Sequence, residues 1–163
     1  MQSNGAASVA VVGCGRLGLT MALAFAQKGV NVCGVDISSN LVSAMNDRTF
    51  RSDEPSVADA LRSIPVGDRR LQATTDLAAA LASVETVLIA VDTPSTGGNR
   101  HYDHGKVGSV LAAINAYMRD RKAAADGTLP SGPRQVVVCC TVMPGYLVDI
   151  GSQLLRAYHL ALH

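Results

Sequence analysis

The sequence predicts an α/β protein in which a doubly wound parallel β-sheet lies between two layers of helices. Three observations support this fold class. Short runs of β-branched residues alternate with amphipathic helical segments along the 163-residue chain. The predicted core is aliphatic, because 48% of the residues are hydrophobic and only 4% are aromatic. A glycine-rich turn joins the first strand to the first helix, as is common in such sheets.

The first two strands and the helix between them are predicted from residues 8–36. Val9–Val12 is a short apolar run, as expected of a strand that is buried on both faces. From Arg16 to Lys28 the apolar residues recur every three or four positions, and Gly29 is a helix-stop signal. Val30–Val35 is predicted as the second buried strand, and Asp36 follows it directly.

The alternation of helices and strands continues to the end of the chain. Ser38 or Ser39, Asp76 and Asp103 are predicted helix caps, and Pro55 is a typical first-turn residue. The predicted helices cover residues 40–45, 56–63, 77–82, 106–122 and 146–158, and the predicted strands cover 70–74, 86–91 and 135–140. With right-handed crossovers, this order gives a Rossmann-type, three-layer α/β/α arrangement.

The segment after the first strand contains G-x-G-x-x-G, and each glycine has a physical function there. Gly13 permits the tight turn, Gly15 lacks the Cβ that would keep a pyrophosphate from the backbone, and Gly18 allows close packing of helix on strand. The helix N-terminus offers free N–H groups and a positive dipole to phosphates. The motif therefore predicts a dinucleotide, with S-adenosylmethionine or another adenosine ligand as the alternative.

Asp36 predicts which dinucleotide binds. It ends the second strand, where a carboxylate accepts hydrogen bonds from a ribose 2′-hydroxyl. The same charge repels a 2′-phosphate, so NAD is favoured over NADP. A second ligand-binding element is predicted in residues 92–105, a long polar loop at the carboxyl end of a strand.

Composition and charge exclude several classes of function. The net charge of +1 without a basic run argues against a nucleic-acid partner. No apolar run approaches the roughly 20 residues of a membrane span, and the N-terminus lacks the pattern of a signal peptide. The four cysteines show no C-x-x-C spacing and are expected to be reduced, buried residues of a cytoplasmic protein.

Several polar residues are interpreted as structural or solvated rather than functional. His101, Asp103 and His104 share one polar loop, which is weak evidence for a metal site, so we expect no metal. Asp92 is expected to be a turn residue rather than a general base. The arginines that might contact phosphate are expected to be solvated: Arg48, Arg51, Arg69 and Arg70.

Taken together, seven segments resemble the N-terminal domain of the UDP-glucose/GDP-mannose dehydrogenase family, in the same order. They are G-C-G-R-L-G-L-T-M-A, G-V-D-I-S, D-E-P-S-V, R-R-L-Q-A-T-T-D, V-L-I-A-V-D-T-P-S-T, H-Y-D-H-G-K-V and C-C-T-V-M-P-G. The resemblance covers about Ser8 to Gly145. Members of this family oxidise the C6 alcohol of a nucleotide sugar to a carboxylate with two NAD per turnover.

The resemblance implies a set of cofactor-binding residues and no catalytic ones. NAD would contact Gly13, Gly15, Arg16, Leu17, Gly18, Asp36, Thr93, Pro94 and Thr141. Thr93 and Pro94 would line the nicotinamide-ribose side, and Thr141 the same cleft. The family's lysine, asparagine and nucleophilic cysteine lie beyond His163, and neither Cys139 nor Cys140 is assigned that role. Met143 replaces a common proline of the family.

The resemblance also implies how the chain works. Residues 1–163 would form the NAD-binding domain of an enzyme that acts on UDP-glucose, with the central helix and the sugar-nucleotide domain absent. The chain alone would bind NAD without turnover, and the full-length enzyme would bind the nucleotide sugar and form a homo-oligomer. The alternatives are an NAD(P) dehydrogenase of the 6-phosphogluconate or hydroxyacid type, and a non-catalytic nucleotide sensor.

Overall fold

The computed structural model describes residues 8–98, 101–124, 132–151 and 161–162. In chain order the elements are β1 (Ser8–Val12), α1 (Arg16–Gln27), β2 (Asn31–Val35), α2 (Ser39–Asn46), α3 (Pro55–Ser63), β3 (Leu71–Thr74), α4 (Leu77–Leu81), β4 (Thr86–Ile89), α5 (Gly105–Ala124), β5 (Gln135–Val138), a π-helical turn (Leu147–Gly151) and β6 (Ala161–Leu162). Within these ranges, no helix combines the length and apolarity that crossing a membrane requires.

The six strands form one parallel sheet in the order β3-β2-β1-β4-β5-β6. β1 pairs with β2 from Ser8 opposite Asn31 to Val12 opposite Val35, and on its other side it pairs with β4. The chain therefore winds outward from β1 in one direction and then returns to build the other half of the sheet. The carboxyl ends of β1 and β4 meet at the point of reversal, where open α/β sheets bind ligands.

Two hydrophobic cores cover the two faces of the sheet. Val9 and Val11 of β1 face the core that α1, α2 and α3 complete, with Leu19, Leu23, Met45 and Leu61 among its buried members. Ala10 and Val12 face the other core, which α4 and α5 complete with Leu81, Val107, Leu111, Ile114 and Met118. The alternation along β1 is the period of two that a strand requires. The predicted three-layer α/β/α fold is confirmed.

The predicted elements agree with the structure except near the carboxyl ends of two strands and after β5. β4 ends at Ile89 and β5 at Val138, earlier than predicted, because the chain leaves the sheet there. Of the predicted helix over 146–158, the described part is the π-helical turn, and residues 152–160 lie outside the described residues. β6 was not predicted from the sequence, since a two-residue strand carries no periodicity.

Arg48 is buried, which contradicts the expectation that it is solvated. Its side chain is only 8% exposed. The guanidinium donates to five backbone carbonyls in three segments: Met45, Asn46, Ile64, Pro65 and Leu71. A planar group with five N–H donors can satisfy so many acceptors at once. Arg48 thus joins the ends of α2 and α3 to the start of β3, and it is not available to a phosphate.

Asn46 protects the outer edge of the sheet. Its Nδ2 donates to the Ala73 carbonyl at 2.9 Å, and its Oδ1 accepts from the Ala73 N–H at 2.8 Å. The side-chain amide therefore forms the pair of hydrogen bonds that a neighbouring strand would form. Since β3 is the edge strand, this contact satisfies backbone groups that would otherwise remain unpaired at this position.

We predict that Arg48→Met destabilises the fold by about 2–4 kcal/mol, because it leaves buried carbonyls without donors. The free energy of unfolding is measured by urea titration. Arg62→Met is the matched control, since Arg62 is exposed and pairs with the exposed Asp59, and it should change stability by less than about 0.5 kcal/mol. Equal stabilities for the two variants would contradict this assignment.

Candidate functional site

An open cleft of about 670 Å³ lies at the carboxyl ends of the strands, beside the N-terminus of α1. Five of the predicted cofactor residues line it: Gly15, Arg16, Leu17, Thr93 and Thr141. Its other lining residues are Thr20, Glu54, Ala90, Val91, Asp92, Cys139 and Cys140. The cleft therefore lies where the sheet topology and the sequence motif both predict a ligand.

Gly13 and Gly18 form the contact between the end of β1 and the first turn of α1. Gly13 has φ +89°, and a Cβ added to it would lie 2.7 Å from the Ala90 carbonyl oxygen. A Cβ added to Gly18 would lie 1.8 Å from the Gly13 carbonyl oxygen. Neither position can hold a side chain without moving backbone. These two glycines shape the turn and do not line the cleft themselves.

Gly15 differs from the other two glycines. It is the N-cap of α1 with φ −65° and ψ −162°, and no side chain caps the helix. A Cβ added to Gly15 would have no heavy atom within 4 Å, and the residue lines the cleft. The space beside Gly15 and the positive end of α1 together suit a diphosphate group. The residues at this turn therefore fit the diphosphate of a dinucleotide.

Asp36 is held at the end of β2 by two backbone donors. Its Oδ2 accepts from the Cys14 N–H at 2.8 Å, and its Oδ1 accepts from the Ser38 N–H at 2.9 Å. These bonds fix the half-buried carboxylate beside the glycine turn, and each oxygen keeps a further lone pair for a ribose hydroxyl. The neighbouring Ile37 is 97% exposed, so an apolar surface lies next to this carboxylate.

The loop after β4 is folded back on itself and carries Thr93 into the cleft. Ser95 and Tyr102 form an antiparallel bridge, and the Asp103 N–H donates to the Pro94 carbonyl at 2.9 Å. Asp92 pairs with Lys106 at the start of α5 at 3.0 Å, so its carboxylate is engaged in an exposed ion pair. Pro94 thus supports the loop by a backbone contact, whereas Thr93 lines the cleft.

His104 also differs from its predicted solvated state. Its Nε2 accepts a hydrogen bond from the Met143 N–H at 3.2 Å, and its ring centroid lies 4.3 Å from that of Tyr146. His101 is exposed, as expected. Within the described ranges, no group of three or more His, Cys, Asp and Glu side chains is placed to hold a metal ion.

The cysteines are free and poorly ionised. Burial raises the pKa of Cys14 to about 12, and the charge of Asp36 adds to the rise. Burial also raises the pKa of Cys139 and of Cys140, both of which line the cleft. A thiol with a raised pKa is a poor nucleophile near neutral pH, and the absence of a catalytic role for these cysteines stays a prediction.

Glu54 lines the cleft, and the sequence analysis did not assign it to the site. Glu54 and Arg16 also border a neighbouring cavity of about 370 Å³ between α1 and the start of α3. Glu54 is the N-cap of α3, and Pro55 begins that helix. The D-E-P-S-V segment was the signal that could have identified Glu54 in the sequence. A residue that directly precedes a helix is, however, more often a helix cap than a residue that lines a cleft.

Comparison with known proteins agrees with this geometry. The family model described as "UDP-glucose/GDP-mannose dehydrogenase family, NAD binding domain" matches residues 7–157. The UDP-glucose 6-dehydrogenase of Haloferax volcanii is 31% identical over 144 residues, which are 87% of this chain and 30% of that protein. The UDP-N-acetyl-D-mannosamine dehydrogenase of Campylobacter jejuni is 38% identical over 91 residues, 56% of this chain and 21% of that protein.

Among solved structures, a ternary complex of GDP-mannose dehydrogenase from Pseudomonas aeruginosa is similar with a TM-score of 0.77 at 28% identity. The match covers 91% of this chain and 31% of that one. The chain thus spans about 30% of the length of the curated relatives that it matches. The family model supports NAD as the cofactor.

We predict that Gly15→Ala abolishes measurable NADH binding and leaves thermal stability within a few degrees of wild type. The added methyl fits the backbone and has no heavy atom within 4 Å, but it would occupy space that we expect the diphosphate to fill. Gly18→Ala is the matched comparison and should unfold the chain at a lower temperature. Binding is measured by NADH fluorescence. Retained binding in Gly15→Ala would contradict the placement of the diphosphate.

We predict that NADH protects Cys139 and Cys140 from alkylation, by about tenfold at a cofactor concentration ten times the Kd. The modified residues are identified by mass spectrometry of peptides. Cys33, a half-buried residue of β2 that does not line the cleft, is the internal control and should react equally with and without NADH. Alkylation at the cleft should accelerate as the pH rises, because burial raises both thiol pKa values. Equal protection of all three thiols would argue against this cleft.

Proposed function

The chain belongs to the UDP-glucose/GDP-mannose dehydrogenase family as its NAD-binding domain, and we propose that it holds NAD for the oxidation of UDP-glucose to UDP-glucuronate. The observation that carries the proposal is the cleft in which Gly15, Thr93 and Thr141 meet at the carboxyl ends of three strands. NAD, when bound, accepts hydride from the alcohol carbon. The described residues of this chain bind and orient the cofactor.

Three groups in and beside the cleft have distinct roles in this proposal. The N-terminus of α1 stabilises the diphosphate through N–H groups and the helix dipole. Asp36 accepts hydrogen bonds from the ribose of the adenosine half, and the exposed Ile37 offers an apolar surface to the adenine. Thr93 and Thr141 lie on the side of β4 and β5, where their hydroxyls can donate to or accept from the nicotinamide ribose.

Oxidation of the alcohol to a carboxylate removes four electrons and therefore requires two NAD. The intermediate aldehyde has to be retained between the two steps, and an ionised thiol is a suitable covalent holder. Cys139 and Cys140 are unsuited to that task because burial raises their pKa. We therefore propose that the isolated 163-residue chain binds NAD but does not turn over the nucleotide sugar.

UDP-glucose is proposed because it is the commonest substrate of the family that the sequence resembles. The test is a comparison of UDP-glucose, GDP-mannose and UDP-N-acetylmannosamine with the protein purified from its own cells, whatever its length. NADH formation is followed by absorbance. Two NADH per UDP-glucose, and slower turnover of the other sugars, are expected. Preferential turnover of another sugar would replace UDP-glucose, and binding of NADH without any turnover would favour a nucleotide sensor.

We predict that Asp36→Asn lowers the preference for NADH over NADPH by roughly tenfold, because it removes the negative charge that repels a 2′-phosphate. The ratio of the two dissociation constants is measured by fluorescence titration. Asp47→Asn is the control, since Asp47 is an exposed carboxylate at the C-terminal end of α2. An unchanged ratio in Asp36→Asn would show that this carboxylate does not face the adenosine ribose.

A further inference from the structure

We propose that His104 is a positioning residue for the cofactor cleft: as a neutral imidazole it holds the Thr141–Gly145 turn so that Thr141 stays beside Thr93. The inference rests on the proposed placement of NAD in this cleft. Its basis is two contacts of His104 with the segment after β5, and neither the glycine motif nor the family resemblance assigns a role to these contacts.

The first contact fixes the protonation state of the imidazole. The Met143 N–H donates to His104 Nε2 at 3.2 Å, so Nε2 carries a lone pair and the ring proton is on Nδ1. His104 immediately precedes α5, and Met143 follows β5. The hydrogen bond therefore joins the loop that carries Thr93 to the turn that carries Thr141.

The second contact is with the aromatic ring that follows the turn. The rings of His104 and Tyr146 have centroids 4.3 Å apart and are tilted by 44°. Tyr146 also lies over the first turn of α5, because a Cβ added to Gly108 would be 3.4 Å from its hydroxyl oxygen. The Gly108 N–H donates to the His104 carbonyl at 2.9 Å, which fixes the histidine backbone on the same surface.

Thr141 lies between two anchored points. Before it, the Cys139 N–H donates to the Ile89 carbonyl at 2.7 Å, and the Cys140 thiol contacts the same carbonyl at 3.2 Å. After it, Met143 and Tyr146 both contact His104. Loss of the histidine contacts would release the downstream end and let Thr141 move away from the cofactor.

Protonation of His104 removes the acceptor, since an imidazolium has donors on both nitrogens. The titratable groups around the contact are Asp103 and Lys106 on the same segment, and Tyr146 and Asp149 on the facing turn. Asp103 accepts from the Gly105 N–H, Lys106 is paired with Asp92, and Tyr146 stays neutral because burial raises its pKa. The contact with the Met143 N–H therefore requires the neutral form of the ring.

The experiment measures NADH dissociation constants for the wild-type chain and three variants. His104→Phe keeps a ring beside Tyr146 but removes the acceptor. His104→Gln keeps an acceptor oxygen. His101→Phe is the matched control, since His101 is an exposed histidine on the same loop. Hydrogen exchange of the Met143 amide, measured without cofactor, reports on the contact itself and on folding.

The expected result is that His104→Phe weakens NADH binding about 3- to 10-fold, as loss of one ordering hydrogen bond predicts, and exposes the Met143 amide. His101→Phe should bind like wild type, and His104→Gln should bind more tightly than His104→Phe, because its oxygen restores an acceptor. Equal affinities for His104→Phe and His101→Phe, or for His104→Gln and His104→Phe, would overturn the inference. Absence of NADH binding by wild type would instead overturn the proposed function.

Discussion

The contact between the Gly13 carbonyl and the first turn of α1 is the constraint on which the rest of the site depends. A Cβ at Gly18 would lie 1.8 Å from that carbonyl oxygen, so the helix can approach the strand only because residue 18 has no side chain. This approach places the N-terminus of α1 beside the carboxyl ends of β1 and β4. The positive end of the α1 dipole, the free N–H groups of its first turn and the space beside Gly15 therefore lie together.

The polar groups in and beside the cleft are arranged in a way that suits a dinucleotide. A carboxylate lies at the end of β2, an uncapped helix N-terminus lies next to β1, and two threonines lie beyond β4 and β5. A carboxylate accepts from ribose hydroxyls, whereas the N–H groups of the helix N-terminus donate to a diphosphate. The thiols that share the cleft remain protonated because burial raises their pKa, and they therefore add polarisable surface rather than charge.

Much of this arrangement could be predicted from local sequence. Hydrophobic periodicity and the three glycines predicted the sheet and its main helices, because each signal acts within one or two adjacent elements. The position of the cofactor, for which the glycines and Asp36 are the signals, stays a prediction. The residues whose roles could not be predicted from the sequence form contacts between segments that are far apart in the chain. Arg48 joins α2, α3 and β3, Asn46 pairs with the edge of β3, and His104 contacts a turn 39 residues later. No local pattern distinguishes such residues from solvated polar residues.

The most direct test of the account is an NMR titration of the isotopically labelled chain with NADH. The account predicts that the amides of Gly15, Arg16 and Leu17, together with those of Ile37 and Thr93, show the largest chemical-shift changes. Amides at the opposite end of the sheet, such as those of Ser8 and Asn31 at the starts of β1 and β2, should remain unchanged. Saturable binding that shifts the amides at the amino ends of the strands and leaves the glycine turn unaffected would contradict it.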